Sequence, residues 1–506
     1  MKKFIISFIF ILILTLILIS CGENNDNNDN SGENGGNANI NADAADDKEG
    51  EAGEEAGEPR IEPELPDEDF GGYIFTFLTH LYEGDDWINP TPLEIVAEEI
   101  TGGDPINDAV YRRNMKITEK FNFGIRILAE SDEAGAMRKA VGAGDSIYDA
   151  AVMFNHNIPS IVTNALLVNV GDLKYIDLSK PWWDPAVNAL SIDNKNYLLG
   201  GDLLILDNEA TNAVLFNKEL LSDLGIGLPY DTVKEGKWTF DLFNEYIKGA
   251  SRDLNGDGRM TWTDDRWGFI AFNDTMLALL AAGGGSLALK DIDDIPYMTL
   301  TEPRNLSVID KLMDIMYNKE DVLNVQADIN NWELWGQAFY GAFEENRSVF
   351  QWARVRAVEK FRGMDADFGI IPMPKFDENQ ENYRSLVNPF TGALLGVPKS
   401  AENLERISVI LEALAAESRY TLQPAYYDVV LTRKFARDAE SEDMLGIIFN
   451  SRVYDVGAVY SFGGVYMDFV NMANRSNRDI ASFYERGSGR MEKGIENIVE
   501  IFRGMD

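Results

Sequence analysis

The folded part of the sequence begins with Tyr73-Ile-Phe-Thr-Phe-Leu78, a continuous run of β-branched and aromatic residues. Such a run predicts a strand that is buried on both faces, as the strands of parallel sheets are. A helix pattern starts at Asp104, further strands are predicted at 124–128 and 148–154, and a second helix at 132–141 lies between them. Strands that alternate with helices in this way build an open α/β sheet. The predicted fold class is therefore α/β.

Polar and aromatic side chains follow the first and the third of these predicted strands. Ligands of open α/β sheets lie beyond the carboxyl ends of the strands. The two loops that leave those strands are therefore candidates for a binding site. In them we predict ligand contacts for His80, Tyr82, Asp86, Trp87 and Asn155.

Four later motifs follow one another in a fixed order along the chain. They are Val214-Leu-Phe-Asn-Lys218, Gly236-Lys-Trp-Thr-Phe-Asp241, Ala366-Asp-Phe-Gly-Ile-Ile-Pro-Met-Pro374 and Thr391-Gly-Ala-Leu-Leu-Gly-Val-Pro-Lys399. Their order and spacing resemble the extracellular solute-binding proteins, family 1, of ABC importers. In that family the first motif is a strand that follows a crossover between two lobes, and the threonine of Trp-Thr is the N-cap of a helix.

The resemblance implies a bilobal, periplasmic-binding-protein-like fold, in which two α/β lobes close around a ligand cleft. It further implies capture of a sugar or oligosaccharide and its delivery to the permease subunits of an ABC transporter, with no catalysis. Crossings between the lobes are expected near 206–212, 372–374 and 417–424. The expected division of the chain is a signal peptide at 1–20, a lipidated acidic tether at 21–66, lobe 1 at 67–208, lobe 2 at 209–372, a return to lobe 1 at 373–420, and C-terminal helices of lobe 2 at 421–506.

The first residues predict export. Two lysines precede an apolar run from Phe4 to Ile19, a pattern typical of a signal peptide. The run ends at Leu18-Ile-Ser-Cys21, which resembles a bacterial lipobox and implies cleavage before Cys21 and acylation of its sulfur, for instance with palmitate. An uncleaved spanning helix is the alternative, because the run nearly has the length to cross a bilayer. We expect a lipoprotein on the extracytoplasmic face of the cell membrane.

Composition excludes several classes of protein. Cys21 is the only cysteine in 506 residues, which excludes a disulfide framework and a thiolate metal cluster. The formal net charge of −39 argues against electrostatic binding of nucleic acid or of anionic lipid head groups. The Asn-, Gly-, Asp- and Glu-rich stretch that follows Cys21 is predicted to be a disordered tether. The folded remainder is expected to be a monomer.

A calcium-loop pattern occupies Asp253-Leu-Asn-Gly-Asp-Gly-Arg-Met-Thr-Trp-Thr-Asp264. Hard cations need six to eight oxygen ligands, and the spacing predicts them from Asp253, Asn255, Asp257, the carbonyl of Arg259 and Asp264. The twelfth position is aspartate where glutamate is usual, so Asp265 is a further candidate ligand. The alternative is an acidic turn that binds no metal. A bound calcium ion would have a structural role.

Sugar clefts combine aromatic platforms with side chains that exchange hydrogen bonds with hydroxyls. On this basis and on the resemblance, candidate ligand contacts are Trp183, Gln351, Trp352, Asn388, Phe390, Tyr426 and Tyr427. Among these, Trp352 is the expected stacking platform. The alternative for the tryptophans is core packing, and for the residues near the crossings it is packing at the hinge.

Two other functions remain compatible with the sequence. An exported carbohydrate-active hydrolase would use two carboxylates set about 5 to 9.5 Å apart, and the many acidic residues always offer such a pair. A bilobal surface receptor would bind a peptide or polyamine without transport. Neither a Gly-x-Ser-x-Gly elbow nor a nucleotide-binding glycine loop occurs in the sequence.

Overall fold

The computed structural model describes residues 60–81, 91–430, 439–475 and 478–505. Within these residues the chain forms the strands β1 Tyr73–His80, β2 Phe123–Glu130, β3 Ala150–Phe154, β4 Asn212–Asn217, β5 Trp267–Ala271, β6 Ala288–Lys290, β7 Pro296–Met298, β8 Val322–Asn324, β9 Ser348–Arg354, β10 Phe368–Ile371, β11 Ser385–Leu386, β12 Ala393–Gly396 and β13 Arg452–Val453.

Helices connect and cover these strands. They are α1 Pro105–Phe121, α2 Glu133–Ala143, α3 Ile158–Thr163, α4 Leu206–Glu209, α5 Lys218–Asp223, α6 Tyr230–Lys234, α7 Phe240–Ile247, α8 Thr275–Ala282, α9 Pro303–Met316, α10 Val325–Asp328, α11 Trp335–Glu344, α12 Ala357–Lys360, α13 Leu404–Ser418, α14 Leu422–Val430, α15 Ala439–Asn450, α16 Val456–Val459, α17 Val465–Val470 and α18 Ile480–Gly504. Among the described helices, none combines the length and the apolar character that crossing a bilayer requires.

The first lobe is built on a four-stranded sheet with the order β12-β3-β1-β2. β1 runs parallel to β2 and to β3, and β12 joins the sheet as an antiparallel edge strand. Alternate side chains of a strand point to opposite faces, so β3 sends Val152 into the core on one face and Met153 into the core on the other. The predicted α/β class and its strand–helix alternation are confirmed.

Helix α1 begins where the sequence provides two start signals. The carboxylate of Asp104 accepts hydrogen bonds from the backbone N–H groups of Ile106 and Asn107, at 3.0 and 3.2 Å. Pro105 occupies the first helical position, where its missing N–H costs nothing. These signals fix the start of the crossover helix between β1 and β2.

The second lobe contains a five-stranded mixed sheet with the order β10-β4-β9-β5-β8. β5 runs parallel to β8 and β9, whereas β4 is antiparallel to β9 and β10. The carboxyl ends of β5, β8 and β9 therefore share one edge with the start of β4. Helix α7 of this lobe starts as expected, because the Thr239 hydroxyl accepts a hydrogen bond from the Leu242 N–H at 3.4 Å.

The crossings between the lobes lie partly where the sequence predicted them. The first contains α4, and Thr211 beside it forms a bridge with Val387 of the second crossing. That second crossing comes later than 372–374, because Lys375 first bonds to the lobe 2 backbone at Trp238 and the Tyr383 hydroxyl donates to the Val233 carbonyl at 3.0 Å. The chain therefore returns to lobe 1 only after β11, later than the return predicted at residue 373.

The C-terminal segment contributes to both lobes. In helix α18, Phe483 and Met491 belong to the lobe 2 core, whereas Ile498 and Phe502 belong to a core of lobe 1. The prediction that 421–506 belongs to lobe 2 alone is therefore corrected. A helix whose buried side chains continue over many turns can reach two adjacent cores.

Arg452 on β13 connects the crossings through a buried ion cluster. Its guanidinium contacts Asp184 of lobe 1 at 3.2 Å and Asp207 of α4 at 3.3 Å. It also donates a hydrogen bond to the Asn208 side chain. The two carboxylates are almost inaccessible to solvent, and burial raises the pKa of Asp207 to about 6 even though Arg452 opposes this shift.

We predict that Arg452→Met lowers the free energy of unfolding by about 3 to 5 kcal/mol, because it leaves two buried carboxylates without a counter-charge. Urea unfolding measures the loss. The difference in unfolding free energy between wild type and variant should shrink as the pH falls from 8 to 5, because protonation of Asp207 removes one uncompensated charge. The matched control is Arg490→Met, whose partner Asp468 is exposed, and its loss should stay within about 1 kcal/mol. Equal losses in both variants contradict the role given to Arg452.

Candidate ligand cleft

Polar side-chain atoms lie buried at the strand ends of both lobes without a hydrogen-bond partner among the described residues. In lobe 1 they are Thr79 Oγ1 at the end of β1 and Asn155 Oδ1 directly after β3. In lobe 2 they are Asn273 Oδ1 after β5, Asn324 Nδ2 at the end of β8 and Trp352 Nε1 near the end of β9. Leaving one such atom unpaired costs about 1 to 3 kcal/mol. Their occurrence at corresponding edges of two sheets indicates a site for a polar molecule.

Asn388 joins these two sheet edges. The Asn155 side chain donates to the Asn388 carbonyl at 3.4 Å, and the Asn388 side chain donates to Asp274 Oδ2 at 3.1 Å. Asp274 follows β5 in lobe 2, and its other oxygen accepts from the Tyr466 hydroxyl at 2.9 Å. The predicted ligand contact Asn388 therefore lies at the cleft floor, where its own side chain is occupied by the contact between the lobes.

Two cavities share part of their lining. The first, here called the hinge cavity, measures about 160 Å³ and is lined from lobe 1, the first crossing, lobe 2 and α14, by residues that include Glu94, Glu209, Arg356, Glu359 and Tyr426. The second, here called the basic pocket, measures about 270 Å³ and lies in lobe 2. Its lining is Phe339, Tyr340, Trp352, Arg354, Arg356, Ala357, Glu359, Lys360 and Arg362. Arg356 and Glu359 line both cavities.

The hinge cavity has an unusual acidic wall. Glu94 is fully buried, one of its oxygens accepts from the Ile205 N–H, and the other has no hydrogen-bond partner among the described residues. Burial raises the pKa of Glu94 well above its ordinary value. The predicted contact Tyr426 also lines this cavity, and burial raises its pKa as well. Burial therefore favours the neutral form of both groups, in which each can donate a hydrogen bond.

An aromatic pair stands at the lobe 1 edge. Phe390 stacks on the His156 ring with centroids 4.6 Å apart and an interplanar angle of 23°, and His156 Nδ1 lies 2.8 Å from the Phe390 carbonyl. Phe390 is 44% exposed, so its ring offers a free face. The predicted contact Phe390 is therefore suitably placed for stacking.

Trp352 lies in the wall of the basic pocket and is almost completely buried. Its ring packs at 6.5 Å from Phe272 and at 5.8 Å from Phe339. Its indole N–H is buried and has no hydrogen-bond partner among the described residues, and the expected open platform is not seen. Gln351 points to the other face of the strand, where it is fully buried and both of its amide atoms lack partners among the described residues.

Two of the predicted contacts lie elsewhere. Trp183 is a core residue of lobe 1, where its indole donates to Glu412 at 2.7 Å. Tyr427 packs its ring against Phe449 at 5.3 Å and lines neither cavity. Both residues therefore take the alternative role of packing inside the protein. A large ring buries more of its apolar surface in a core than in an open cleft.

The remaining predicted contacts divide into two groups. His80 ends β1, where it contacts the buried carboxylate of Glu133 and meets the Phe154 ring edge-on at 5.2 Å. Tyr82, Asp86 and Trp87 lie outside the described residues, as does Cys21.

Sequence reasoning missed the charged residues of the basic pocket. Trp352, Arg354 and Arg356 are spaced by two along β9 and its extension, so the first two share a face of the strand. The alternation of apolar and basic residues at 352–356 was the available signal. Asp274 and Tyr466 were also missed, since they come together only through the fold.

The predicted calcium loop lies at the opposite edge of lobe 2, before β5 begins. The Asp253 carboxylate accepts from the N–H groups of Gly256 and Gly258 at 2.6 and 2.8 Å, and Asp265 accepts from Leu254 and Thr261. Asp265 is buried within the loop, whereas Asp264 is exposed and bonds to Thr263. Across the described ranges, no three His, Cys, Asp or Glu side chains are arranged to hold a metal.

At the level of sequence, no family model and no curated protein matches the chain. Solved structures do match in fold. The galacto-N-biose-/lacto-N-biose I-binding protein of the ABC transporter from Bifidobacterium longum, in complex with lacto-N-biose, superposes with a TM-score of 0.56 at 14% identity, covering 85% of this chain and 98% of that one. UspC of M. tuberculosis gives 0.54 at 15% identity, covering 83% and 99%.

A third similar structure is the ABC substrate-binding protein Lmo0181 from Listeria monocytogenes in complex with cycloalternan. It superposes with a TM-score of 0.51 at 13% identity and covers 86% of this chain and all of that one. The likeness extends over both lobes and over nearly the whole length of each compared protein. The chain therefore has the two-lobed fold of the substrate-binding proteins of ABC transporters.

Proposed function

We propose that this protein captures an oligosaccharide in the cleft between its lobes and delivers it to the permease subunits of an ABC transporter. The observation that carries the proposal is the set of unpartnered polar atoms at the strand ends of both lobes, from Thr79 and Asn155 on one side to Asn273, Asn324 and Trp352 on the other. A saccharide presents hydroxyls that donate and accept, so it can satisfy amide oxygens and N–H groups together.

The aromatic rings at the cleft support the same ligand class. Phe390 in lobe 1 is 44% exposed and has a free ring face, whereas Trp352 and Phe339 in the wall of the lobe 2 pocket are almost completely buried. Sugar rings have apolar faces that pack against such surfaces. The proposal agrees with the ligands named for the similar proteins, lacto-N-biose and cycloalternan. We propose binding without catalysis.

Calorimetry of the full chain, purified in mild detergent, against a panel of neutral and acidic oligosaccharides tests the proposal. We expect one site per chain with a Kd at or below about 1 μM, which corresponds to about −8 kcal/mol. Trp352→Phe should weaken binding roughly 5- to 100-fold, because it removes a buried N–H donor and keeps the ring contacts with Phe272 and Phe339.

Trp335→Phe is the matched control for that variant. Trp335 also packs against Phe272 at 5.9 Å, but its indole donates to the Ile329 carbonyl inside lobe 2. It should lose some stability and keep native affinity. Binding of a peptide or polyamine with no saccharide binding contradicts the proposed ligand class, and release of cleaved sugar during the titration contradicts the absence of catalysis.

We further propose that the protein is held on the extracytoplasmic face of the membrane through acylated Cys21. The support is the apolar run that ends at Leu18-Ile-Ser-Cys21. Two or three acyl chains on one residue anchor firmly, whereas one alone binds weakly. Detergent phase partitioning of wild type and Cys21→Ala tests this. The wild type should enter the detergent phase, and a processed Cys21→Ala chain that still does so contradicts the anchor.

We also propose that the loop 253–265 binds calcium and stabilises lobe 2. Its support is the spacing of Asp253, Asn255 and Asp257 on one tight loop, with Asp265 buried beneath it. A chelator should lower the melting temperature and calcium should restore it, because a ligand that binds only the folded state stabilises that state. Asp257→Ala should abolish the response, and replacement of the exposed Glu496 of α18 by alanine should keep it. Identical melting curves with and without chelator oppose the proposal.

A further inference from the structure

The hinge cavity is bounded by segments from different parts of the chain. Its walls come from the short helix Thr91–Glu94 that follows β1, from the start of α1, from α4 of the first crossing, from the residues after β9, and from α14. The segments that follow β1 and β9 lie beyond the carboxyl ends of their strands, where ligands of open α/β sheets bind. A group held in this cavity can therefore contact both lobes and a crossing at once.

Three residues that line the hinge cavity each have a buried polar atom with no hydrogen-bond partner among the described residues. These atoms are Glu94 Oε1, Arg356 Nη1 and Tyr426 Oη. Buried polar atoms are costly to leave unpaired, and native proteins leave few of them so. The three atoms therefore indicate a place for a polar group that the described part of the chain does not supply.

The missing group need not be charged. Glu209 and Glu359 also line the cavity and act as neighbouring negative charges on Arg356. What the three atoms lack is hydrogen bonds. Arg356 can only donate, Tyr426 can donate and accept, and Glu94 accepts as a carboxylate or donates as a neutral acid. A partner for all three must itself have both a donor and an acceptor.

Most of the remaining lining is aliphatic. Eight of the fifteen residues that line the cavity are leucine, isoleucine or valine. Two further polar residues are already engaged, since Asp104 caps α1 and Asn107 donates to the Glu99 carbonyl at 2.8 Å. Hydroxyls that face aliphatic side chains lose their hydrogen bonds to water without replacement. The lining therefore favours a group that has a few polar atoms and an alkyl end.

The size of the hinge cavity limits what it can hold. Its volume of about 160 Å³ is close to that of an apolar protein cavity that binds benzene. A hexose has twice as many heavy atoms as benzene, whereas a short substituent of a sugar has fewer. Glu94 and Tyr426 are each only 2% exposed, so the bound group must lie inside the protein. The cavity therefore suits a substituent, and the sugar ring itself would lie outside it.

An acetamido group meets these conditions. Its carbonyl can accept from Arg356 and Tyr426, its N–H can donate to Glu94, and its methyl group can contact the aliphatic lining. We propose that the saccharide bound by this protein carries an N-acetyl group and that the hinge cavity holds this group. This inference rests on the proposed function and specifies its substrate class. Because both lobes line the cavity, the bound group favours the arrangement in which they are together.

Matched oligosaccharide pairs test the inference on the full chain. The two members of a pair share their linkage and differ only in an acetamido or a hydroxyl group at the second ring carbon, as N,N′-diacetylchitobiose and cellobiose do. An array of such pairs with several linkages identifies the best binder. Calorimetry then compares this sugar with its hydroxyl and its free-amine counterparts. The acetamido form should bind at least tenfold more tightly than either.

Tyr426→Phe separates a ligand contact from a structural role. It removes a hydroxyl that has no partner in the described ranges and keeps the ring, so the melting temperature should stay the same or rise. The preference for the acetamido form should fall at least threefold. The matched control is Tyr460→Phe, because this buried tyrosine donates to the Leu190 carbonyl at 2.7 Å in lobe 1. It should lower the melting temperature and keep the preference.

Val430→Phe tests whether the cavity is occupied. Val430 lines the hinge cavity and is partly buried, so the larger side chain takes up space that the acetamido group needs. Affinity for the acetamido form should fall at least tenfold, while affinity for the hydroxyl form stays within threefold. Ile447→Phe is the control, since Ile447 is also partly buried but does not line this cavity. It should change neither affinity by more than threefold.

The outcomes distinguish the two levels of the proposal. Equal affinity for the acetamido and hydroxyl forms, tighter binding of the free amine, or a preference that survives in every folded cavity variant overturns the N-acetyl assignment and leaves saccharide capture standing. A folded protein that binds no member of the array overturns saccharide capture and the inference with it.

Discussion

The ion cluster around Arg452 is the interaction on which the two-lobed arrangement depends. Through Asp184 and Asp207 it connects lobe 1 and the first crossing to β13, and β13 in turn pairs with β11 of the second crossing. Both carboxylates are buried, so leaving either without a counter-charge would be costly. The cluster is satisfied only when these segments come together, so it specifies one relative arrangement of the crossings.

That arrangement decides what the cleft contains. Because the crossings bring the carboxyl ends of the two sheets together, Asn155, Asn388 and Asp274 meet in one chain of hydrogen bonds. Arg356 and Glu359 line both the hinge cavity, which also contains the buried Glu94, and the basic pocket, which also contains Arg354, Lys360 and Arg362. The same two side chains therefore belong to two cavities with different linings.

Much of the framework could be predicted from the sequence, because the strands around Phe75, Val152 and Leu215 are continuous apolar runs and the caps at Asp104 and Thr239 are local. The site could be predicted less well. Trp183 and Tyr427 are residue types that often line sugar clefts. Their burial, however, is decided by partners far along the chain, Glu412 and Phe449. The basic pocket escaped notice because its cations come from a strand end and a short helix, and no motif joins them. The second crossing was placed too early, because nothing in its sequence shows that residues near Lys375 and Tyr383 stay on lobe 2.

Helix α18 restricts how the two lobes can move relative to each other, because its side chains are buried in the cores of both. Its 25 residues extend about 37 Å at the usual rise, with side chains fixed in the lobe 2 core near one end and in a lobe 1 core near the other. A helix is stiff along its axis and cannot lengthen without breaking backbone hydrogen bonds. The lobes can therefore rotate about the axis of this helix, but they cannot separate along it.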